Sequence, residues 1–142
     1  MRVGQAIYSI LSNSLTVAQH LGTGNRIFPL VAKATQSLPF LIYEVTQDDP
    51  VQTKDGLSES YVRVYRLEVL CYSDTYTNVS NIATSVRKTL NRAPTYPAST
   101  YNAIKLQSIN YINANEEFEA DSGKNGVFRI RLVFEVRQIL TD

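Results

Sequence analysis

The chain has 142 residues with 14 Lys and Arg against 13 Asp and Glu, a formal net charge of +1 that speaks against a protein gripping nucleic acid through a basic stripe. Its 44% apolar and 19% charged residues suit a folded chain with a core rather than a disordered one, and 142 residues suit one domain. One cysteine excludes an internal disulfide, and no run approaches the roughly 18 apolar residues a membrane helix needs, so the expectation is a cytosolic, reducing compartment and no membrane.

Val3, Ala6, Ile7, Ile10 and Leu11 recur at the three- and four-residue spacing of a helix with one apolar stripe. Ser12-Asn13-Ser14 interrupts them with capping residues. Leu15, Val17, Ala18 and Leu21 then resume the stripe, and Gly22 supplies a stop. The pattern predicts two helical pieces, or one kinked helix, over residues 3–21. No uninterrupted apolar signal core or cleavage site occurs there. A turn at 22–25 leads to a very short strand at 26–28, ended by Pro29, and then a loop at 31–37. Residues 39–46 are aromatic and β-branched with a proline at the edge, which predicts a strand. Its near-continuous apolar run predicts cover on both faces.

Residues 47–60 are polar, with turn signals at Asp48-Asp49-Pro50 and Lys54-Asp55-Gly56. They join two strands, so a hairpin with a long arm is expected. Connections beyond about 12 residues in compact domains are commonly functional or disordered. In the next strand, 61–72, Tyr65, Leu67, Val69 and Cys71 alternate with Arg66 and Glu68, the period of a strand with one buried face. Ser73-Asp74-Thr75 offers three N-cap residues. Val79, Ile82, Ala83, Val86 and Leu90 then mark a one-faced helix over 74–91.

Pro94 and Pro97 mark 93–100 as a linker. Residues 103–113 read as a strand with less regular alternation, and 115–125 as an acidic loop holding Glu116, Glu117, Glu119 and Asp121. The last strand, 127–139, is the clearest. Phe128, Ile130, Leu132, Phe134 and Val136 share one face, and Arg129, Arg131, Glu135 and Arg137 the other. It is expected to pair with 103–113 as an antiparallel hairpin. The sum is an α+β fold: one antiparallel sheet of about four strands with two helical regions packed on one face, residues 1–142 forming one domain.

The search for chemistry is mostly negative. His20 reads as a helix-end histidine and Cys71 as a small buried hydrophobe, and together they are too few for a zinc site. No phosphate-binding or dinucleotide-binding glycine motif occurs, and Gly22-Thr23-Gly24 follows a helix rather than a strand. The acidic residues of 48–55 and 116–121 match no EF-hand spacing and read as solvated loops. No cofactor, metal or catalytic residue is therefore expected. The arginine-bearing face of the last strand reads either as a solvated sheet face or as a subunit interface, where arginine is favoured. Nine tyrosines lean mildly toward the interface.

Several stretches in order carry a resemblance. They are Ile7-Tyr8-Ser9-Ile10-Leu11, Leu21-Gly22, Arg26-Ile27-Phe28-Pro29 and Leu38-Pro39-Phe40-Leu41-Ile42-Tyr43. Next come Val69 to Tyr76 running into Ile82-Ala83-Thr84-Ser85-Val86-Arg87, and last the hairpin closing on Phe128 to Val136. Taken together they resemble the tail-completion, or tail-terminator, proteins of long-tailed bacteriophages and related prophage elements. The resemblance implies a non-enzymatic virion protein assembled in the host bacterial cytoplasm. It implies a homo-oligomeric ring, usually a hexamer, at the head-proximal end of the tail tube. There the ring would end tube polymerisation and present a joining surface to the head-closure or connector protein. Genomic DNA would pass through the lumen without sequence-specific binding. The alternatives are a head-closure or connector protein of the same neck, a small DNA-binding module using the arginine face, and an enzyme with an unrecognised site. Expected contact residues are Asp48, Asp49, Lys54 and Asp55 on the arm, Arg66 and Glu68 on the central strand, Glu116, Glu117 and Glu119 in the acidic stretch, and Arg129, Arg131 and Arg137 on the last strand.

Overall fold

The computed structural model describes residues 3–22, 24–32, 36–47, 60–92, 99–101, 104–119 and 126–141. Helices α1 (Val3–Ser12) and α2 (Leu15–Leu21) open the chain, and strands β1 (Ile27–Pro29), β2 (Phe40–Gln47) and β3 (Ser60–Ser73) follow. Helix α3 (Tyr76–Arg92) precedes β4 (Ser99–Tyr101), β5 (Ile104–Glu119) and β6 (Val127–Thr141). The architecture is α+β, as the alternating patterns predict. The sheet has six strands in the order β1-β2-β3-β6-β5-β4. Beyond the four main strands lie two three-residue edge pieces, β1, which matches the very short strand expected at 26–28, and β4, which the sequence does not predict; β1 runs parallel to β2, so the sheet is mixed rather than purely antiparallel. A piece as short as β4 carries no periodic signal.

The break between α1 and α2 follows from the capping residues. The Ser14 hydroxyl accepts from the Val17 amide at 3.4 Å, starting α2, and also meets the Thr89 hydroxyl of α3 at 3.0 Å. Gly22 ends α2 at φ 95°, a conformation costly for a residue with a Cβ. At the β3–α3 joint, Thr75 is the cap that works: its hydroxyl accepts from the Asn78 amide at 3.3 Å. Buried Ser73 receives the Thr75 amide at 3.4 Å and the Asn78 side-chain amide at 3.1 Å, so the strand-to-helix corner leaves no orphaned hydroxyl.

One hydrophobic cluster lies between the helices and one face of the sheet. The five α3 positions read from the sequence are all buried, as are Tyr65, Leu67, Val69 and Cys71 of β3 and Ile130, Leu132, Phe134 and Val136 of β6. Burying an aliphatic or aromatic side chain contributes roughly 1.5–3 kcal/mol, so these positions dominate the gross stabilisation. The ring of Phe134 meets that of Tyr111 edge-on at 5.8 Å, and the Arg87 guanidinium of α3 lies 3.9 Å from the centre of Tyr111's ring. Helix and hairpin are thus joined by both apolar and cation–π contact.

Both expected hairpins form. Strand β2 pairs with β3 from Phe40↔Tyr72 to Gln47↔Tyr65, and β5 pairs with β6 from Lys105↔Ile139 to Glu119↔Val127. The second corrects the sequence. Residues 115–119 are strand, not acidic loop, because each lies opposite a β6 residue and takes its place in the ladder. Their charge misleads because it is read as solvation, whereas an edge strand can be highly polar. Most of the expected arm, residues 48–59, lies outside the described residues.

Candidate interface surfaces

The register assembles the face of the sheet that carries no helices. Residues opposite one another in a ladder project to the same side, which builds rows across β2, β3, β6 and β5. Phe40, Tyr72, Arg129 and Glu117 form one row, and Ile42, Leu70, Arg131 and Asn115 the next. Glu44, Glu68, Val133 and Asn113 follow, then Thr46, Arg66, Glu135 and Asn110. Arg137 sits beyond, between Val64 and Ser108. Arg66, Glu68, Arg129, Arg131 and Arg137, read from separate strands, therefore share one surface.

That surface is internally paired. Arg66 Nε lies 3.5 Å from Glu68 Oε1 and Arg137 Nε lies 2.9 Å from Glu135 Oε1. Arg129 pairs with Glu117 across the β5–β6 ladder. Glu44 and Glu68 are directly opposite one another, a like-charge pair that the Arg66 contact offsets. Each exposed pair is worth about 0–1 kcal/mol, so any of them can be exchanged for a partner's carboxylate at small cost. Arg131 is different. Its Nε is buried and finds no acceptor among the described residues. Ile42 and Val133 are buried on this face despite the missing helix layer. Nothing among the described residues covers this face, and Glu44 and Thr46 of β2 are exposed on it, so the expectation that residues 39–46 are covered on both sides is not met beyond Ile42. Phe40 stacks on Tyr72 at 4.8 Å at one end of the face.

The three glutamates of the acidic stretch do not form one cluster. Glu117 and Glu119 face the open side, opposite Arg129 and Val127, whereas Glu116 lies opposite core-facing Ile130. The Tyr76 hydroxyl donates to both Glu116 carboxylate oxygens at 3.0 Å, tying the start of α3 to β5. No group of three or more metal-ligating side chains occurs among the described residues. Asp48, Asp49, Lys54 and Asp55 lie outside them. Cys71 is buried, and burial pushes its thiol up to about 12, the environment of an inert core cysteine. Among the described residues, no helix is long and apolar enough to cross a membrane.

Sequence reasoning missed a second set of surface residues. Leu30 and Val31 are 69% and 72% exposed just after β1. Ile112 and Phe118 on β5 are 51% and 55% exposed. Val31 falls in what reads as a loop, Leu30 just before it, and Ile112 in what reads as an irregular strand. Neither context signals an exposed apolar side chain. Beside Leu30 a cavity of about 360 Å³ opens between α1 and the β1–β2 edge, lined by Gly4, Gln5, Pro29, Leu30, Tyr43 and Val45. Burial, and secondarily neighbouring Tyr8, raises the pKa of the Tyr43 phenol, so it stays neutral there.

No protein-family model and no curated protein sequence matches the chain. Among solved structures, a chain from the virion of a native gene transfer agent particle aligns with 95% of this chain and 92% of its own length, at 17% identity and a TM-score of 0.72. At that identity the likeness defines a shared fold. A second solved chain covers 98% of this one at 9% identity with a TM-score of 0.48, too low to support an argument.

Proposed function

We infer that this protein is a structural virion component of the tail-terminator type. It forms a ring on the head-proximal end of a tail tube, ends tube growth and presents the surface to which the head-closure protein joins. The observation that carries this reading is the end-to-end fold match, 95% of this chain against 92% of the other, to a chain of a gene transfer agent virion. The resemblance read from the sequence points to the same kind of particle independently. An open sheet face of exchangeable ion pairs suits repeated contacts between identical subunits, with DNA passing the lumen unread. Arg129, Arg131 and Arg137 are proposed to meet carboxylates of an adjacent subunit or tube protein. Residues 47–60 are proposed to reach a neighbouring subunit or the lumen.

The test is genetic and visual. Particles assembled without this protein should carry tails of uncontrolled length and unjoined heads in electron micrographs, and adding the purified protein should restore joining. Tails of normal length with unjoined heads would instead assign it to head closure. Normal joined particles would refute both. Reversing Arg129, Arg131 and Arg137 to Glu should reduce subunit association while the far-ultraviolet circular dichroism stays that of the folded chain. Deleting residues 51–57 should likewise leave a folded protein that fails to make rings or joined particles.

A further inference from the structure

On the side of the sheet that carries the helices, β5 runs on past its cover. Ala114, Glu116 and Phe118 lie opposite the core-facing Leu132, Ile130 and Phe128, yet all three are exposed. Phe118 is 55% exposed, and Tyr76, at the start of α3, is 50% exposed. The Phe118 and Phe128 rings approach to 4.7 Å at 46°, and Tyr76 meets Phe128 edge-on at 5.8 Å. Rings so inclined, two of them half in solvent, do not bury all their faces against one another. With Val79 and Glu116 they line a cavity of about 230 Å³.

Glu116 is the charge of this cavity that the described residues leave unneutralised. Glu117 and Arg129 also reach its rim, but they pair with each other. The Tyr76 hydroxyl donates to both Glu116 oxygens at 3.0 Å, and no cation among the described residues lies within ion-pair distance of them. One hydroxyl proton leaves most of the acceptor capacity of a carboxylate unused. A protein surface closing over the aromatic rings would also take Glu116 from water, and a desolvated carboxylate with a single donor is costly. The cover must therefore bring a cation. A cation placed there also meets the ring faces, whose quadrupoles attract it. A guanidinium does both at once, because its plane stacks on a ring while its fork of N–H donors engages the carboxylate, which a compact ammonium does not match.

We propose that this cavity is a docking site for an arginine side chain presented by a partner protein, with Glu116 taking the guanidinium and the rings of Tyr76, Phe118 and Phe128 taking its planar faces. The assignment stands on these residues and does not need the ring-forming reading above. The test is titration of the whole chain with N-acetyl-arginine methylamide at constant ionic strength, followed by the ring resonances of Tyr76, Phe118 and Phe128 in nuclear magnetic resonance spectra. Saturable shifts at these rings are expected. The citrulline analogue, of the same shape without the charge, should bind about tenfold more weakly. Glu116→Gln, whose amide oxygen still accepts from Tyr76, should weaken the arginine probe about tenfold. Phe118→Leu, at a half-exposed position, should weaken it about threefold. Both variants should keep the circular dichroism of the folded chain.

Equal binding of the arginine and citrulline probes would overturn the proposal, because the charge would then play no part. Tighter binding of the lysine analogue or of tetramethylammonium would overturn the guanidinium assignment. Free arginine binding at least tenfold more tightly than the blocked residue would overturn the protein partner, since it would mark a site for the amino acid itself. Shifts from a single-stranded oligonucleotide in place of arginine would reassign the rings to base stacking and overturn it as well. The absence of any saturable shift would do the same.

Discussion

Replacing Cys71 by alanine should reverse its effect on stability between neutral and alkaline pH. The thiol is buried opposite Leu41 and Ile130, and burial lifts its pKa from 9.0 to about 12. Below pH 9 both folded and unfolded chains hold the proton, and Cys71→Ala loses only packing, about 1 kcal/mol for one buried heavy atom. Above pH 9 the unfolded thiol ionises and the folded one does not, so wild-type stability falls by about 1.36 kcal/mol per pH unit until the folded group also ionises near 12. The full loss is about 4 kcal/mol, and the curves for wild type and Cys71→Ala should cross near pH ~10. Urea unfolding from pH 7 to 11 measures it, with the difference between the proteins cancelling the lysines and tyrosines they share. A difference that stays constant from pH 8 to 11 would mean that the thiol is not sealed from water in the native state.

Phe134→Ala should cost about 3–5 kcal/mol in urea unfolding, because it empties a fully buried site and breaks the edge-on contact with Tyr111. Gly126→Ala should cost about 1–3 kcal/mol, since a Cβ there would collide with the Phe118 ring and fall 2.6 Å from the Glu119 carbonyl oxygen. Its signature would be loss of the aromatic contact shifts between Phe118 and Phe128, whose rings are 4.7 Å apart, in nuclear magnetic resonance spectra. Ser14→Ala should lower stability by about 1 kcal/mol by removing the α2 cap and its link to Thr89, and Ser14→Asp, whose carboxylate also accepts, should recover the cap.

Much of the core was legible in the sequence because it is written in local periods. The alternation in 65–71 and 128–136 and the helical stripe from Val79 to Leu90 each place their apolar residues on the side that is in fact buried. A two-residue or 3.6-residue period needs only one buried face to appear, and each element here has one. The caps were legible for the same reason, since a side chain that satisfies an amide three residues away is a local event. What local patterns miss are edges. The strand character of residues 115–119 and the parallel β1–β2 pair depend on a partner in another segment, and the short β4, which pairs with the residues just after it, is too brief to show a period.

The candidate surface divides along the same line. Composition and spacing alone established the α+β class, the two hairpins, the buried Cys71 and the separation of arginines from apolar residues on the last strand. Only the tertiary register brought Arg66 and Glu68 beside Glu135, set Glu117 against Arg129, and sent Glu116 to the other face to meet Tyr76. Only the folded backbone turned Leu30 and Ile112 outward, through a left-handed residue and a bulge. Side-chain direction within an element is set by its period, which the sequence carries. Neighbours across strands, and the irregular residues at sheet edges, are set by pairings between distant segments, which no local pattern encodes.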